Sequence, residues 1–266
     1  MERSIEGRCA GMNRVRPFRS DGAPSARGAI LDLDGTLIRE GDVMHGAAGL
    51  LDHFAGRFVI ASNNSTDTGE SLSGRLAHLG LSVPPHRLVL AGQETLRLIA
   101  ARHPRARIFL MASEVLTDHA RALGLHPSSE DGDIVVLCRD TRFDYTKLRG
   151  AGDLLRRGAP FFVANPDLTH PGADGTQVPE TGALLAAITA CAGPVRSTII
   201  GKPQSHLYTV ALARLALAPY EAVMIGDNPE TDAAGAKALG MSSLLIGAHR
   251  DAVARDPSTL LDRLIG

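Results

Sequence analysis

The segment Ala29-Ile30-Leu31-Asp32-Leu33-Asp34-Gly35-Thr36-Leu37 constrains the fold more than any other stretch of the 266 residues. An apolar run carries two aspartates two positions apart and then meets a glycine. A strand buried on both faces reads as a nearly continuous apolar run, the mark of a parallel sheet covered by helices. Carboxylates in such a run are costly unless a cation or several hydrogen bonds meet them. In an open parallel α/β sheet, ligands bind at the carboxyl ends of the strands. A turn or helix-cap aspartate accounts for Asp34 before Gly35, but not for Asp32 inside the run. The segment therefore predicts a parallel α/β sheet with Asp32 and Asp34 at a polar site on its edge.

Three later segments repeat the pattern. Arg57-Phe58-Val59-Ile60-Ala61-Ser62-Asn63-Asn64-Ser65 ends an apolar strand in small hydrogen-bonding side chains. Such a set serves either as the cap of a helix starting near Asp67 or as an uncharged pocket for anionic oxygens. Ser197-Thr198-Ile199-Ile200-Gly201-Lys202-Pro203 ends at a single Lys, read as a counter-ion to phosphate and carboxylates, and Pro203 suits entry into a helix over 205–216. Ala222-Val223-Met224-Ile225-Gly226-Asp227-Asn228-Pro229-Glu230-Thr231-Asp232 ends in Gly-Asp and an acidic turn. There Glu230 fits a helix-dipole partner, whereas Asp227 precedes the helix. Four strands are thus expected to deliver Asp, Ser/Asn, Lys and Asp to one edge of one sheet.

The ordered set DxDGT, SNNS, GKP and GDNPETD resembles the haloacid dehalogenase (HAD) superfamily over essentially the whole chain after about residue 28. A long insertion between the second and third motifs narrows the likeness. It holds Ala164-Asn165-Pro166-Asp167 and Pro179-Glu180-Thr181-Gly182-Ala183-Leu184, similar to subfamily IIA with its large α/β cap. That group includes NagD-like nucleotide phosphatases, p-nitrophenylphosphatases, and phosphoglycolate and pyridoxal phosphate phosphatases. The family's usual PGxG reads Pro-Glu-Thr-Gly here, so Glu180 stands where a glycine is usual.

The expected fold class is therefore α/β: a Rossmann-like parallel-sheet core with an inserted α/β cap. Residues 28–86 and 197–266 form the core and 87–196 the cap. Core strands are predicted over 29–33, 57–62, 197–201, 221–226 and 242–246, with helices over 46–55, 67–79, 205–216 and 230–239. In the insertion, apolar runs 108–111, 134–137 and 160–164 alternate with helical patterns over 92–102, 113–123 and 144–157. The two crossings near 87 and 196 suit hinge closure over the site. Residues 1–27 carry Arg3, Arg8, Arg14, Arg16 and Arg19 with little apolar content. They are expected to be a disordered leader or an engineered extension, since Ile5-Glu6-Gly7-Arg8 looks like a protease site.

A phosphate ester dianion is repelled by Asp32, Asp34, Asp227 and Asp232 together, so the set calls for a hard divalent ion with oxygen ligands, which Mg²⁺ fits. The resemblance implies that Asp32, the Asp34 carbonyl and Asp227 bind it, with Asp232 orienting Lys202 or a bound water. It further implies Asp32 as nucleophile through an aspartyl-phosphate, Asp34 as acid and then base, and Ser62, Asn63 and Lys202 as phosphate holders. Asp34 argues against dehalogenation, because the superfamily's dehalogenases lack this acid. Asn64 and Ser65 are expected to face the leaving group. His170 occupies a position resembling a substrate-contacting His of pyridoxal phosphate phosphatases, or is a surface-loop His. The expected activity is a Mg²⁺-dependent phosphomonoesterase acting on a small phosphate ester, with a phosphotransferase or mutase on the same fold as the alternative. Which ester (nucleotide, sugar phosphate, phosphoglycolate, glycerol phosphate or pyridoxal phosphate) is not legible.

Composition bounds the partners. Net charge is −1 and aromatics make up 4%, so neither nucleic acid nor a membrane surface is expected as a partner. No apolar run approaches a spanning helix. Cys9, Cys138 and Cys191 are scattered singly, which fits neither a disulfide framework nor a zinc site and points to the cytoplasm. A homodimer through the cap is a further expectation.

Overall fold

The computed structural model describes residues 26–172 and 175–265. Its strands are β1 (Gly28–Leu31), β2 (Ile38–Arg39), β3 (Asp42–Val43), β4 (Phe58–Ser62), β5 (Leu88–Leu90), β6 (Arg107–Met111), β7 (His126–Ser128), β8 (Ile134–Leu137), β9 (Phe161–Val163), β10 (Thr169–Pro171), β11 (Gln177–Pro179), β12 (Ser197–Ile199), β13 (Ala222–Gly226) and β14 (Ser242–Leu245). The helices are α1 (Ala47–His53), α2 (Gly69–His78), α3 (Ala91–Arg102), α4 (Glu114–Ala122), α5 (Tyr145–Arg156), α6 (Thr181–Ala192), α7 (Ser205–Leu215), α8 (Ala234–Ala238) and α9 (Pro257–Ile265).

Among the described residues, two five-stranded sheets carry the fold, in the orders β14-β13-β1-β4-β5 and β12-β9-β8-β6-β7. All their pairings are parallel. Every residue of β1, β4 and β13 is buried, because helices cover both faces of the first sheet. The two-residue alternation of a strand splits β1 between two cores. Ala29 and Leu31 pack with Leu50 of α1 and Leu72 of α2, while Ile30 packs with Leu207 and Ala211 of α7. With no Trp in the chain, these cores are largely aliphatic.

Two sheet assignments differ from the sequence expectation. The strand expected over 197–201 does not join the first sheet: β12 pairs with β9 at the edge of the second. Conversely β5, expected in the insertion, pairs with β4 in the first. The reason is the same in both cases. A short right-handed β–α–β crossover returns the chain beside the strand it left, so β4–α2–β5 and β9–α6–β12 each close locally. The chain therefore leaves the first sheet after Leu90 rather than near 87, and it passes directly from the second sheet to Lys202.

The other expected elements match to within a residue or two, whereas β2, β3, β7, β10, β11 and α9 were not foreseen, and three further points differ. The helix expected over 230–239 is a π-helical turn, Pro229–Ala233, followed by the short α8. Pro203 lies before Gln204, the residue that caps α7, rather than in the first helical turn. Helix α6 shows no amphipathic period in its sequence, TGALLAAITACA, and was invisible to periodicity. The leader expected over 1–27 lies outside the described residues except for Ala26 and Arg27. Arg27 already belongs to the core, pairing with Glu221 at 2.5 Å. Among the described residues no helix is long and apolar enough to cross a membrane.

Candidate active site

Asp32 follows β1 directly and is buried. Its backbone N–H donates to the Ile225 carbonyl at 2.8 Å, which continues the β1–β13 ladder by one residue. Its carboxylate therefore emerges where the sheet ends. Lys202, 2% exposed, places its Nζ 2.5 Å from Asp32 Oδ1 and 2.7 Å from Asp232 Oδ1. The Thr36 hydroxyl donates to Asp32 Oδ2 at 3.3 Å. A threonine in the first turn after DxDG thus satisfies the second oxygen, a contact the sequence reading did not assign.

Asp227 follows β13 and closes the group. One carboxylate oxygen each from Asp32, Asp227 and Asp232 lies within 4.8 Å of the others. Two glycines make this approach possible. A Cβ at Gly35, whose φ is +84°, would lie 2.0 Å from Asp227 Oδ2, and one at Gly226 would lie 2.1 Å from Asp232 Oδ2. Asp232 has both oxygens committed, Oδ1 to Lys202 and Oδ2 to the Asn228 backbone N–H at 3.1 Å. The π-helical turn that carries it is capped by Asn228, whose side chain accepts from the N–H groups of Glu230 and Thr231.

The electrostatics are those of an over-acidic cluster. Burial alone would discharge Lys202, but Asp232 and Asp32 outweigh it and hold the ammonium's pKa above its ordinary value. Burial, followed by the other carboxylates, pushes Asp32 well above the carboxylate range despite Lys202. Burial and Asp232 also raise the Asp227 carboxyl. Asp34 opens to solvent at the mouth of the site, yet protein surrounds it elsewhere, and the lost hydration raises its carboxyl. One ammonium thus faces more carboxylates than it can neutralise. An all-oxygen donor set with excess negative charge is what a hard divalent ion takes, and the residues present fit such an ion.

The loop 62–65 divides its work. The Ser62 hydroxyl donates to Asp34 Oδ2 at 3.3 Å and accepts the Asn64 N–H at 3.0 Å, so it stays at the site. The expectations for the next three side chains need correction. The Asn63 amide is spent on the second sheet: Oδ1 accepts the Lys202 N–H at 2.7 Å, and Nδ2 donates to the Lys202 carbonyl and to both Asp167 oxygens. Its side chain ties down the Lys202 loop. Asn64 caps the turn into α2 through the N–H groups of Thr66 and Asp67. Ser65 is buried, and its hydroxyl contacts Thr181 Oγ1, Asn165 Nδ2 and the Arg139 N–H, each at 3.0 Å. Neither Asn64 nor Ser65 is free to meet a leaving group. Asn165, Asp167 and Thr181, quoted above only as family signs, prove to be the other half of this contact.

His170 lies on the β10–β11 hairpin with its Nδ1 2.7 Å from Glu180 Oε1. Glu180 takes an extended conformation, φ −113° and ψ −176°, which any residue adopts, so a glycine is not needed there. Gly182 is needed, because a Cβ would sit 2.2 Å from the Pro166 carbonyl oxygen. A cleft of about 480 Å³ at the opposite edge of the first sheet is lined by arginines. Their guanidiniums are engaged by the Phe54 and Phe58 carbonyls, Glu94 and Glu221, and it offers no comparable chemistry.

Comparison with known proteins bears on what this geometry belongs to. A family model described as haloacid dehalogenase-like hydrolase matches residues 29–126, and a HAD-hydrolase-like model matches residues 199–264. A dihydroxyacetone phosphatase of Corynebacterium glutamicum is 30% identical over 220 residues, covering 82% of this chain and 79% of that one. The chain is a haloacid dehalogenase-like hydrolase. A 4-nitrophenylphosphatase structure from Thermotoga maritima matches this hydrolase with a TM-score of 0.81 at 28% identity, covering 89% of this chain and 97% of the other. A glycerol phosphate phosphatase from Mycobacterium tuberculosis, solved with magnesium, matches with a TM-score of 0.77 at 29% identity, covering 88% and 73%. This hydrolase shares its fold with NagD from E. coli and is a phosphoric monoester hydrolase.

Proposed function

We propose that this hydrolase is a Mg²⁺-dependent phosphomonoesterase of small phosphate esters that works through an aspartyl-phosphate. The observation that carries the reading is the Lys202 ammonium 2.5 Å from Asp32, inside a cluster that also holds Asp227 and Asp232. The carboxylates of Asp32 and Asp227 and the Asp34 carbonyl would hold the ion. When bound, it screens the ester dianion from the carboxylates and polarises the phosphoryl oxygens.

The remaining work falls to the chain's own side chains. Asp32 attacks phosphorus, and Thr36 and Lys202 hold its two oxygens. Asp34, whose carboxyl burial shifts toward its protonated form, gives its proton to the leaving oxygen. It then takes a proton from the water that attacks the aspartyl-phosphate, which restores Asp32 and frees phosphate. Ser62 positions Asp34 and, with Lys202, holds phosphoryl oxygens as charge spreads onto them. Asn63 and Asp232 position Lys202 from its backbone and its ammonium respectively. The second sheet with its helices serves as the cap, which covers the mouth and selects the leaving group. The relatives act on dihydroxyacetone phosphate, glycerol phosphate and nitrophenyl phosphate by name, and we place this substrate among small phosphate esters. Unpaired Cys138 and Cys191 support a cytoplasmic setting.

The test is phosphate release from a panel of esters with and without Mg²⁺. Mg²⁺-dependent release supports the reading. Release that survives EDTA removes the metal, and no release from any ester removes the activity.

A further inference from the structure

Tyr208 is fully buried, and its place on α7 makes it look like core. Leu207, Tyr208, Ala211 and Leu212 form the buried face of that helix, at the spacing of an apolar stripe. A buried tyrosine differs from its aliphatic neighbours in one respect: its hydroxyl needs a partner. Here the partner is the π-helical turn that carries Asp232. The Tyr208 hydroxyl donates to the Thr231 carbonyl at 2.7 Å and lies 3.4 Å from the Asp232 carbonyl. Gly235 leaves room for it, because a Cβ there would lie 2.4 Å from the Tyr208 oxygen.

The Thr231 carbonyl and the Asp232 N–H belong to one peptide plane. Tyr208 holds that plane by its oxygen, and the Asn228 carbonyl holds it by its N–H at 2.8 Å. With the plane fixed from both sides, the Asp232 Cα and the direction of its side chain are fixed with it. The carboxylate then meets Lys202 Nζ at 2.7 Å, and Lys202 meets Asp32 at 2.5 Å. Lys202 and Tyr208 lie on one stretch of chain, the loop and first turn that open α7. That stretch grips Asp232 twice, at its carboxylate through the ammonium and at its backbone through the phenol.

We infer that Tyr208 is a positioning residue of the phosphatase reaction: its hydroxyl sets Asp232, which in turn keeps the Lys202 ammonium on Asp32. The phenol is buried and does not meet substrate, so it acts only through this chain of contacts. The inference rests on the phosphatase reading above and adds a residue to its machinery.

The test measures kcat and KM on p-nitrophenyl phosphate with Mg²⁺, using the full chain as wild type, Tyr208→Phe, Asp232→Ala and the double variant. Tyr208→Phe removes one oxygen and keeps the ring. It should lower kcat by about tenfold and leave KM within about twofold, because Lys202 meets charge that develops in the transition state. Asp232→Ala leaves no carboxylate to position, so adding Tyr208→Phe to it should change kcat by less than about twofold. Gly235→Ala, which drives a methyl group against the same hydroxyl and touches no other site residue, should reproduce the kcat loss. It keeps the inference testable if Tyr208→Phe fails to fold. A merely structural role for Tyr208 would lower the melting temperature and leave kcat unchanged, or would lower kcat by the same factor with and without Asp232. Either result would overturn the inference while leaving the phosphatase reading intact. A wild type that releases phosphate from no ester would remove both.

Discussion

Lys202 is held by opposed forces: burial that disfavours its charge, and two carboxylates that require it. Removing one partner of a buried ion pair costs more than the pair contributed. Lys202→Met should therefore abolish turnover and destabilise the metal-free protein by about 3–5 kcal/mol, read by urea denaturation in EDTA. Asp32→Asn should abolish turnover while circular dichroism stays native. Substantial residual activity would remove Asp32 as the nucleophile. Asp34→Asn should cut turnover by about 10²-fold or more if Asp34 moves the proton, with a smaller loss on p-nitrophenyl phosphate, whose leaving group needs less protonation. At this scale Asp32, Asp34, Lys202 and Asp227 were legible because each breaks an apolar run at its end. Asn63, Asn64 and Ser65 were not, because an amide or hydroxyl serves a helix cap, a neighbouring loop or a phosphate equally well. Only the partner set separates these roles.

At the scale of elements, the site depends on how closely turns approach one another. Gly35 lets the turn after β1 pass against Asp227. Gly35→Ala would combine a positive φ with a clash of 2.0 Å and should push Asp227 out of the cluster. The expected result is a loss of Mg²⁺-dependent activity, with a raised Mg²⁺ requirement in titrations. Activity that survives at the wild-type Mg²⁺ requirement would show that Asp227 does not hold the ion. Most strands and helices were readable because their periods and caps are local, as in the Thr68–Ser71 capping box that opens α2. Sheet membership was not local. Nothing in Ser197-Thr198-Ile199 distinguishes an edge strand of the second sheet from a central strand of the first. The crossover rule and the place of α6 decide it.

At the scale of the molecule, the acidic cluster links pH, metal and stability. Asp32, Asp34 and Asp227 all have raised pKa values in the folded chain. For an acid this means that the native state binds more protons than the unfolded state between the ordinary carboxylate pKa and the raised one. Stability from these groups is therefore present at acid pH and falls as pH rises through that window. Metal-free protein should melt at lower temperature at pH 8 than at pH 5. Mg²⁺ should raise the melting temperature more at pH 8, because it binds the charged form. An equal Mg²⁺ effect at both pH values would contradict the excess of negative charge. The two sheets meet through Asn63, Ser65, Asn165, Asp167 and Thr181, and β12 runs straight on to Lys202, so the second sheet itself delivers the ammonium to Asp32.

The chain's order of residues was enough to place reactive groups at strand ends and to call for a divalent ion, since both follow from local burial and charge. It left open which sheet supplies Lys202 and which polar side chains remain free. Those answers depend on contacts between residues far apart in the chain, such as the 139 positions from Asn63 to Lys202, and such contacts exist only once the sheets have packed.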